Sequence, residues 1–277
     1  MIYFCADDYG LNDISSVHIQ ECIDKGALNK VSVFPNFQKV NIDKIKNTRI
    51  SLHLNLAEGK CMSEGLDLIA DQNGNFKHTF GGLFRLNLLQ RKKLEAEAYK
   101  EIKAQVMYYK AILPVDTPFC IDSHQHIHMI PAIFKALLKA LNEENIKVEY
   151  MRIPAEPIMP FIKTPSLYFT YSLVNIIKQW LLKLLWMINK KRANVPTALF
   201  LGVLFSGKMN EKRVSKILPE YIKLAEKQGM DIEVLFHPGY IEKDFNGENI
   251  AFKKFYLSEN RKTEFNSLIK LSERSVL

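Results

Sequence analysis

The sequence predicts an α/β fold built on a parallel sheet, and three observations predict it. Short apolar runs recur along the chain and alternate with longer segments of helical period, the pattern of strands joined by crossover helices. Several runs end in polar residues, as strands of a parallel barrel do where they carry chemistry. No fixed-period repeat and no Gly/Ser- or Pro-rich linker divides the 277 residues, so one domain spanning residues 1–277 is expected.

In chain order, the strand candidates are Ile2 to Ala6, Lys30 to Pro35, Ile50 to Leu56, Phe119 to Asp122, Lys147 to Ile153, Thr197 to Leu204 and Ile232 to His237. Each is a short apolar run whose length suits a strand better than a helix. Helical period covers Ile14 to Lys25, Leu88 to Ala111, Ile130 to Glu143, Leu167 to Lys190, Asn210 to Gln228 and Asn260 to Ser272. Asn12 or Asp13 can cap the first of these, and the fourth marks a helical excursion near residues 165–195. Residues 58–82 read as a long irregular loop, a kind of segment that tends to be functional in a compact domain.

With 47% apolar and 25% charged residues, 12 Gly and 11 Pro, the composition excludes collagen-like, low-complexity and wholly disordered chains. The 38 basic residues exceed the 30 acidic ones, for a net charge of +8. That balance suits an anionic partner, yet the basic residues spread over helix-like faces such as 91–103 and 178–192 and form no nucleic-acid stripe. Four cysteines without a CxxC pair read as reduced thiols, and the opening MIYFCADDYG lacks a secretory pattern, so a cytoplasmic location is expected. The longest charge-free part of the fourth helix, Thr164 to Ile177, is too short to cross a bilayer, so no transmembrane segment is expected. The sequence leaves a homodimer open.

Four polar clusters terminate strand candidates. Asp7 and Asp8 follow the first; adjacent carboxylates repel unless a cation or proton intervenes, which suggests a metal ligand beside a general base, against the alternative of a helix-capping turn. Strict alternation in SLHLNL sets Leu52, Leu54 and Leu56 on one face and His53 with Asn55 on the other, where a barrel has its lumen. Three of the chain's seven histidines, His124, His126 and His128, fall in the seven residues from Asp122. Imidazole is a common ligand for divalent ions, and Asp122 can orient a ligating ring. The fourth cluster, Phe236-His237-Pro238-Gly239, leaves one imidazole at a strand end, placed like a general acid. Arg152 also ends a strand and can support a catalytic carboxylate or a substrate oxygen.

Taken together and in this order, ADDYG, SLHLNLAEGK, DSHQHIHMIP and LFHPG, with the connecting RIPAEP and LGVLFSGKM, resemble the YdjC-like or ChbG-type carbohydrate deacetylases over almost the full chain. The resemblance implies a deformed TIM-like (β/α) barrel and one divalent cation, magnesium or zinc, held by Asp8, His53 and His124. It further implies Asp7 as general base and His237 as general acid, and an acetylated amino sugar or short chito-oligosaccharide as substrate. It gives His126 and His128 no fixed role. Tyr9 stands where many relatives have Phe. A metal-dependent phosphoesterase is the rival enzyme reading, although the chain shows neither a two-metal carboxylate set nor a Gly-rich phosphate loop. A non-catalytic carbohydrate-binding or membrane-surface protein is the rival of another class. It would use Trp180, Leu184 and Trp186 beside Lys183, Lys190, Lys191 and Arg192, a pattern that equally describes a helix packed on the barrel.

Overall fold

The structure, a computed structural model, describes residues 1–37, 40–241 and 256–273. Seven parallel strands form one sheet: β1 (Ile2–Tyr9), β2 (Lys30–Val33), β3 (Arg49–Leu54), β4 (Phe119–Ser123), β5 (Val148–Met151), β6 (Leu199–Leu201) and β7 (Ile232–Phe236). Their order across the sheet is β5-β4-β3-β2-β1-β7-β6. The sheet curls until its edges meet, and the Met151 N–H donates to the Pro196 carbonyl, just before β6, at 2.9 Å. This is the deformed (β/α) barrel expected, with seven strands.

Around it lie α1 (Asp13–Asp24), α2 (Phe80–Leu89), α3 (Arg91–Ile112), α4 (Pro131–Glu143), α5 (Ile158–Ile162), α6 (Leu173–Asn189), α7 (Glu211–Gln228) and α8 (Glu259–Glu273). Asn12 caps α1 by accepting from the Ser15 N–H at 2.8 Å. Three predicted elements differ. Residues 88–111 form two helices, because Gln90 leaves the helical region, and the preceding loop ends at Phe80. Residues 165–170 are a short 3₁₀ helix begun by Pro165, and an extended Tyr171 separates it from α6. The sixth strand keeps only three ladder residues, because the N–H groups that follow it turn to Glu156 instead.

Strand alternation sorts the side chains. Phe4, Ala6, Val31, Val33, Ile50, Leu52, Ile121 and Met151 pack outward into the apolar core beneath the helices. The intervening residues fill the barrel interior, which is ionic. Lys30 Nζ lies 3.0 Å from Glu233 Oε1, and the Arg152 guanidinium lies 2.6 Å from the same oxygen and 2.7 Å from Asp7 Oδ2, all four side chains being buried. Buried charges persist only when paired in this way.

Outside the barrel, the buried Glu156 carboxylate accepts from the consecutive N–H groups of Gly202, Val203 and Leu204 at 2.5, 2.7 and 2.9 Å. Burial pushes its carboxyl up to about 7, although those three N–H groups and Lys178 pull the other way. The folded state therefore holds this proton more tightly than the unfolded chain does, so stability from this group falls as pH rises from about 4.5 to about 7 and is flat above. Chemical denaturation at pH 5 and pH 8 should show Glu156→Gln losing a pH-dependent component of a few kcal/mol, at about 1.4 kcal/mol per pKa unit.

Candidate active site and metal centre

β1 runs through both aspartates because its backbone bulges there. Asp8 takes a φ of 72°, and the pairing of β1 with β2 slips between Ala6 and Tyr9. A left-handed aspartate is tolerated better than most residues, and the bulge turns consecutive side chains toward the same end of the barrel. Asp8, His53 from β3 and His124, which immediately follows β4, each place a ligand atom within 4.8 Å of the others. His53 Nε2 lies 3.5 Å and His124 Nδ1 3.4 Å from Asp8 Oδ1. Among the described residues, Asp8 Oδ1 and His53 Nε2 are buried and make no hydrogen bond of good geometry. One carboxylate oxygen and two imidazole nitrogens converging on a common point fit a divalent cation.

Each converging group is held from behind. The β3–β4 register sets His53 beside Asp122, whose Oδ1 lies 2.6 Å from His53 Nδ1 and leaves Nε2 toward Asp8. His124 presents Nδ1 to Asp8, while Glu58 Oε2 stands 3.4 Å from its Nε2 and accepts from the Tyr256 hydroxyl at 2.6 Å. Arg261 of α8, fully buried, donates to Asp8 Oδ2 and to the Gly239 carbonyl, leaving Oδ1 for the site. Carboxylates behind ligating rings fix ring orientation and raise basicity. Asp122→Asn should therefore weaken zinc binding about 10–100-fold by calorimetric titration, without unfolding the protein. Undiminished affinity would show that His53 needs no such partner.

The electrostatics suit positive charge. Burial resists ionisation of Asp8, but Arg261 and the two histidines hold its carboxyl well below the usual range. Burial likewise resists a charged His53, yet Asp7, Asp122 and Asp8 push it up to about 10. With no ion present, the cluster thus draws protons onto its rings, the charge a divalent ion would supply.

Asp7 differs from its neighbour. Arg152 donates to both of its oxygens, at 2.7 and 2.8 Å, and His53 Nε2 lies 3.9 Å away. Despite burial, Arg152 and His53 keep the Asp7 carboxyl below its ordinary range, so it is ionised at neutral pH. A second group, Asp7, His53 and Asp122, also has metal-like spacing. Its carboxylates are already paired: Asp7 with Arg152, and Asp122 with Ser32 at 2.6 Å and Lys30 at 3.8 Å.

Arg152 pairs with the carboxylate expected as base, and its guanidinium is buried among Asp7, Glu233, Asp122 and Cys5. His237 follows β7 at the level of Asp7, since Ala6 pairs with Phe236, and Glu264 Oε2 stands 3.5 Å from its Nδ1. His128 is a structural clamp, with Nδ1 2.5 Å from Ser123 Oγ and Nε2 2.9 Å from the Arg152 carbonyl. His126 is buried edge-on to Phe200, and burial holds it well below the usual histidine range. Sequence reasoning missed Glu58 and Arg261. The opening of the long loop directly after SLHLNL is the one signal that could have drawn attention to Glu58.

The sequence pattern of the family described as YdjC-like protein matches residues 1–277. A carbohydrate deacetylase of Danio rerio is 29% identical over 161 residues, which cover 56% of this chain and 50% of that protein. A carbohydrate deacetylase of Clostridium beijerinckii is 25% identical over 190 residues, covering 65% of this chain and 73% of that one. The matches thus span about half the length of the vertebrate relatives and more of the bacterial one. In structure, the chain resembles an Enterococcus faecalis protein provisionally described as a cellobiose-phosphate cleavage protein. The TM-score is 0.64 over 99% of this chain and 93% of that one, at 14% identity, a likeness of fold.

Proposed function

The chain belongs to the YdjC-like family, and on that premise we propose that it is a metal-dependent carbohydrate deacetylase, removing the N-acetyl group from an amino sugar or a short chito-oligosaccharide. The observation that carries this reading is the convergence of Asp8, His53 and His124 beside a carboxylate, Asp7, held ionised by a buried arginine. Asp8 Oδ1, His53 Nε2 and His124 Nδ1 would hold the ion, magnesium or zinc. Bound there, a divalent ion supplies Lewis acidity toward the acetyl carbonyl and lowers the pKa of water.

In this reading Asp7 takes the proton of the attacking water as its oxygen bonds to the acetyl carbon. Arg152 fixes both Asp7 oxygens and so the direction in which the base presents its lone pair. His237 gives a proton to the sugar nitrogen as the C–N bond breaks, with Glu264 Oε2 3.5 Å from Nδ1 behind the ring. Acetate and a free amino sugar result. Four free cysteines support a cytoplasmic setting.

The test is release of acetate from di-N-acetylchitobiose and related N-acetylated sugars by zinc- or magnesium-loaded protein. Acetate from at least one sugar, dependent on added metal, is expected. A broad panel that yields none, with the ion shown to be bound, overturns the proposal.

A further inference from the structure

A second surface stands out on α6, away from the chemistry just described. Leu173, Ile177, Trp180, Leu184 and Met187 recur at spacings of four, three, four and three residues and form one stripe along the helix. All five are exposed, Leu173 by 72% and Trp180 by 60%, and Phe169 just before the helix is fully exposed. The opposite face carries Leu182, Leu185, Gln179 and Asn189, all buried, with Gln179 donating to the Glu156 carbonyl and Asn189 to the Met129 carbonyl. Trp186 belongs to the inner side, where it meets Phe134 edge-on at 6.4 Å. The stripe is therefore surplus to packing on the barrel. A contiguous exposed apolar surface of this kind marks an interaction site.

Charge identifies the occupant. Residues 157–210 contain no Asp or Glu and seven cations, Lys163, Lys178, Lys183, Lys190, Lys191, Arg192 and Lys208. The other 223 residues carry 31 cations against 30 acids, so this one segment supplies almost all of the net charge of +8. Among the described residues, no carboxylate forms an ion pair with Lys183, Lys190, Lys191 or Arg192. At about 100° of rotation per residue, Lys183 and Lys190 fall roughly a quarter-turn from the centre of the stripe, where long side chains can reach past an apolar face. A second copy of the chain would bring two such acid-free segments together, which disfavours a symmetric dimer on this face. A partner both anionic and apolar fits: headgroups for the cations, acyl chains for the stripe. No helix among the described residues is long and apolar enough to cross a membrane, so the fit is to lying in the interface.

We propose that the exposed face of α6 is a docking surface for an anionic lipid bilayer. It lies flat in the headgroup layer, with Phe169, Trp180 and Leu184 inserted and Lys183, Lys190, Lys191 and Arg192 on phosphates. The surface does not depend on the deacetylase reading, and its test is separate. The full-length protein is floated with phosphatidylcholine vesicles with or without phosphatidylglycerol. Partition onto the anionic vesicles alone is expected, with a blue shift of tryptophan emission that Trp180→Phe removes. Charge reversal at Lys183, Lys190, Lys191 and Arg192 should lower partition about fivefold or more per site. Leu184→Ala, at an exposed position that leaves the core intact, should weaken it independently. Equal binding to neutral vesicles, or no partition at all, overturns the proposal. So does a dimer in analytical ultracentrifugation that Ile177→Lys dissolves while vesicles go unbound, which assigns the face to a second copy.

Discussion

Asp7→Asn is expected to lower acetate release about 10²–10⁴-fold, the usual contribution of a positioned general base. The substitution keeps the shape of the side chain and an oxygen for the Arg152 guanidinium, which now bonds both carboxylate oxygens. It removes the basic lone pair and one negative charge. Because Asp8, not Asp7, faces His53 and His124 at the converging point, metal affinity should change far less than turnover. The measurement is kcat at saturating sugar alongside zinc binding by calorimetry. A variant as active as the parent, with the same metal content, would place the base elsewhere. A variant that loses metal and activity together would make Asp7 a ligand.

The strand ends of this site were legible because their signals are local. Alternation in SLHLNL separates His53 from three leucines, and the structure shows that division as core-facing leucines and a lumen-facing ring. The histidine density of 122–128 marked the turn after β4, and Asp122 backs His53 because the two sit side by side in the ladder. What the sequence could not show were partners whose contacts depend on how the sheet curls. Arg261 reaches Asp8 across 253 residues, and Tyr256 reaches Glu58 across 198. Nothing in the helical period of residues 260–272 distinguishes an arginine that closes a site from one in solvent. Arg152 was legible as a strand-end cation, but its partner was not, because the choice between carboxylate and substrate is made by burial. The sequence predicts an end of β1 at Ala6, because two charged residues resemble a strand's end, whereas the bulge at Asp8 lets the ladder continue to Tyr9.

The same burial makes Arg152→Met the substitution with the largest expected cost in stability. The guanidinium faces Asp7, Glu233 and Asp122, and Lys30, 3.0 Å from Glu233 and 3.8 Å from Asp122, is the other cation of that interior network. Taking away one partner of a buried ion pair leaves uncompensated charge and costs about 3–5 kcal/mol, whereas replacing a whole pair by apolar groups is often neutral. The variant should therefore melt roughly 10 °C lower, at about 2–4 °C per kcal/mol for a chain of this size. Adding Glu233→Gln should recover part of the loss in a double-mutant cycle, because Glu233 is already pushed up to about 7 by burial and gives up its charge most readily. A positioning role adds a kinetic signature that stability alone does not explain. Burial opposes a charged Asp7, and Arg152 is the chief influence holding it ionised. Without Arg152 the carboxyl pKa rises, so the acidic limb of the pH–rate profile should move to higher pH while the basic limb stays in place. Arg152→Lys, which keeps charge but cannot bridge both Asp7 oxygens and Glu233 with one planar fork, should show a smaller shift of the same sign. A melting point within a degree or two of the parent and an unmoved acidic limb would together mean that Asp7 owes neither its ionisation nor its position to this arginine.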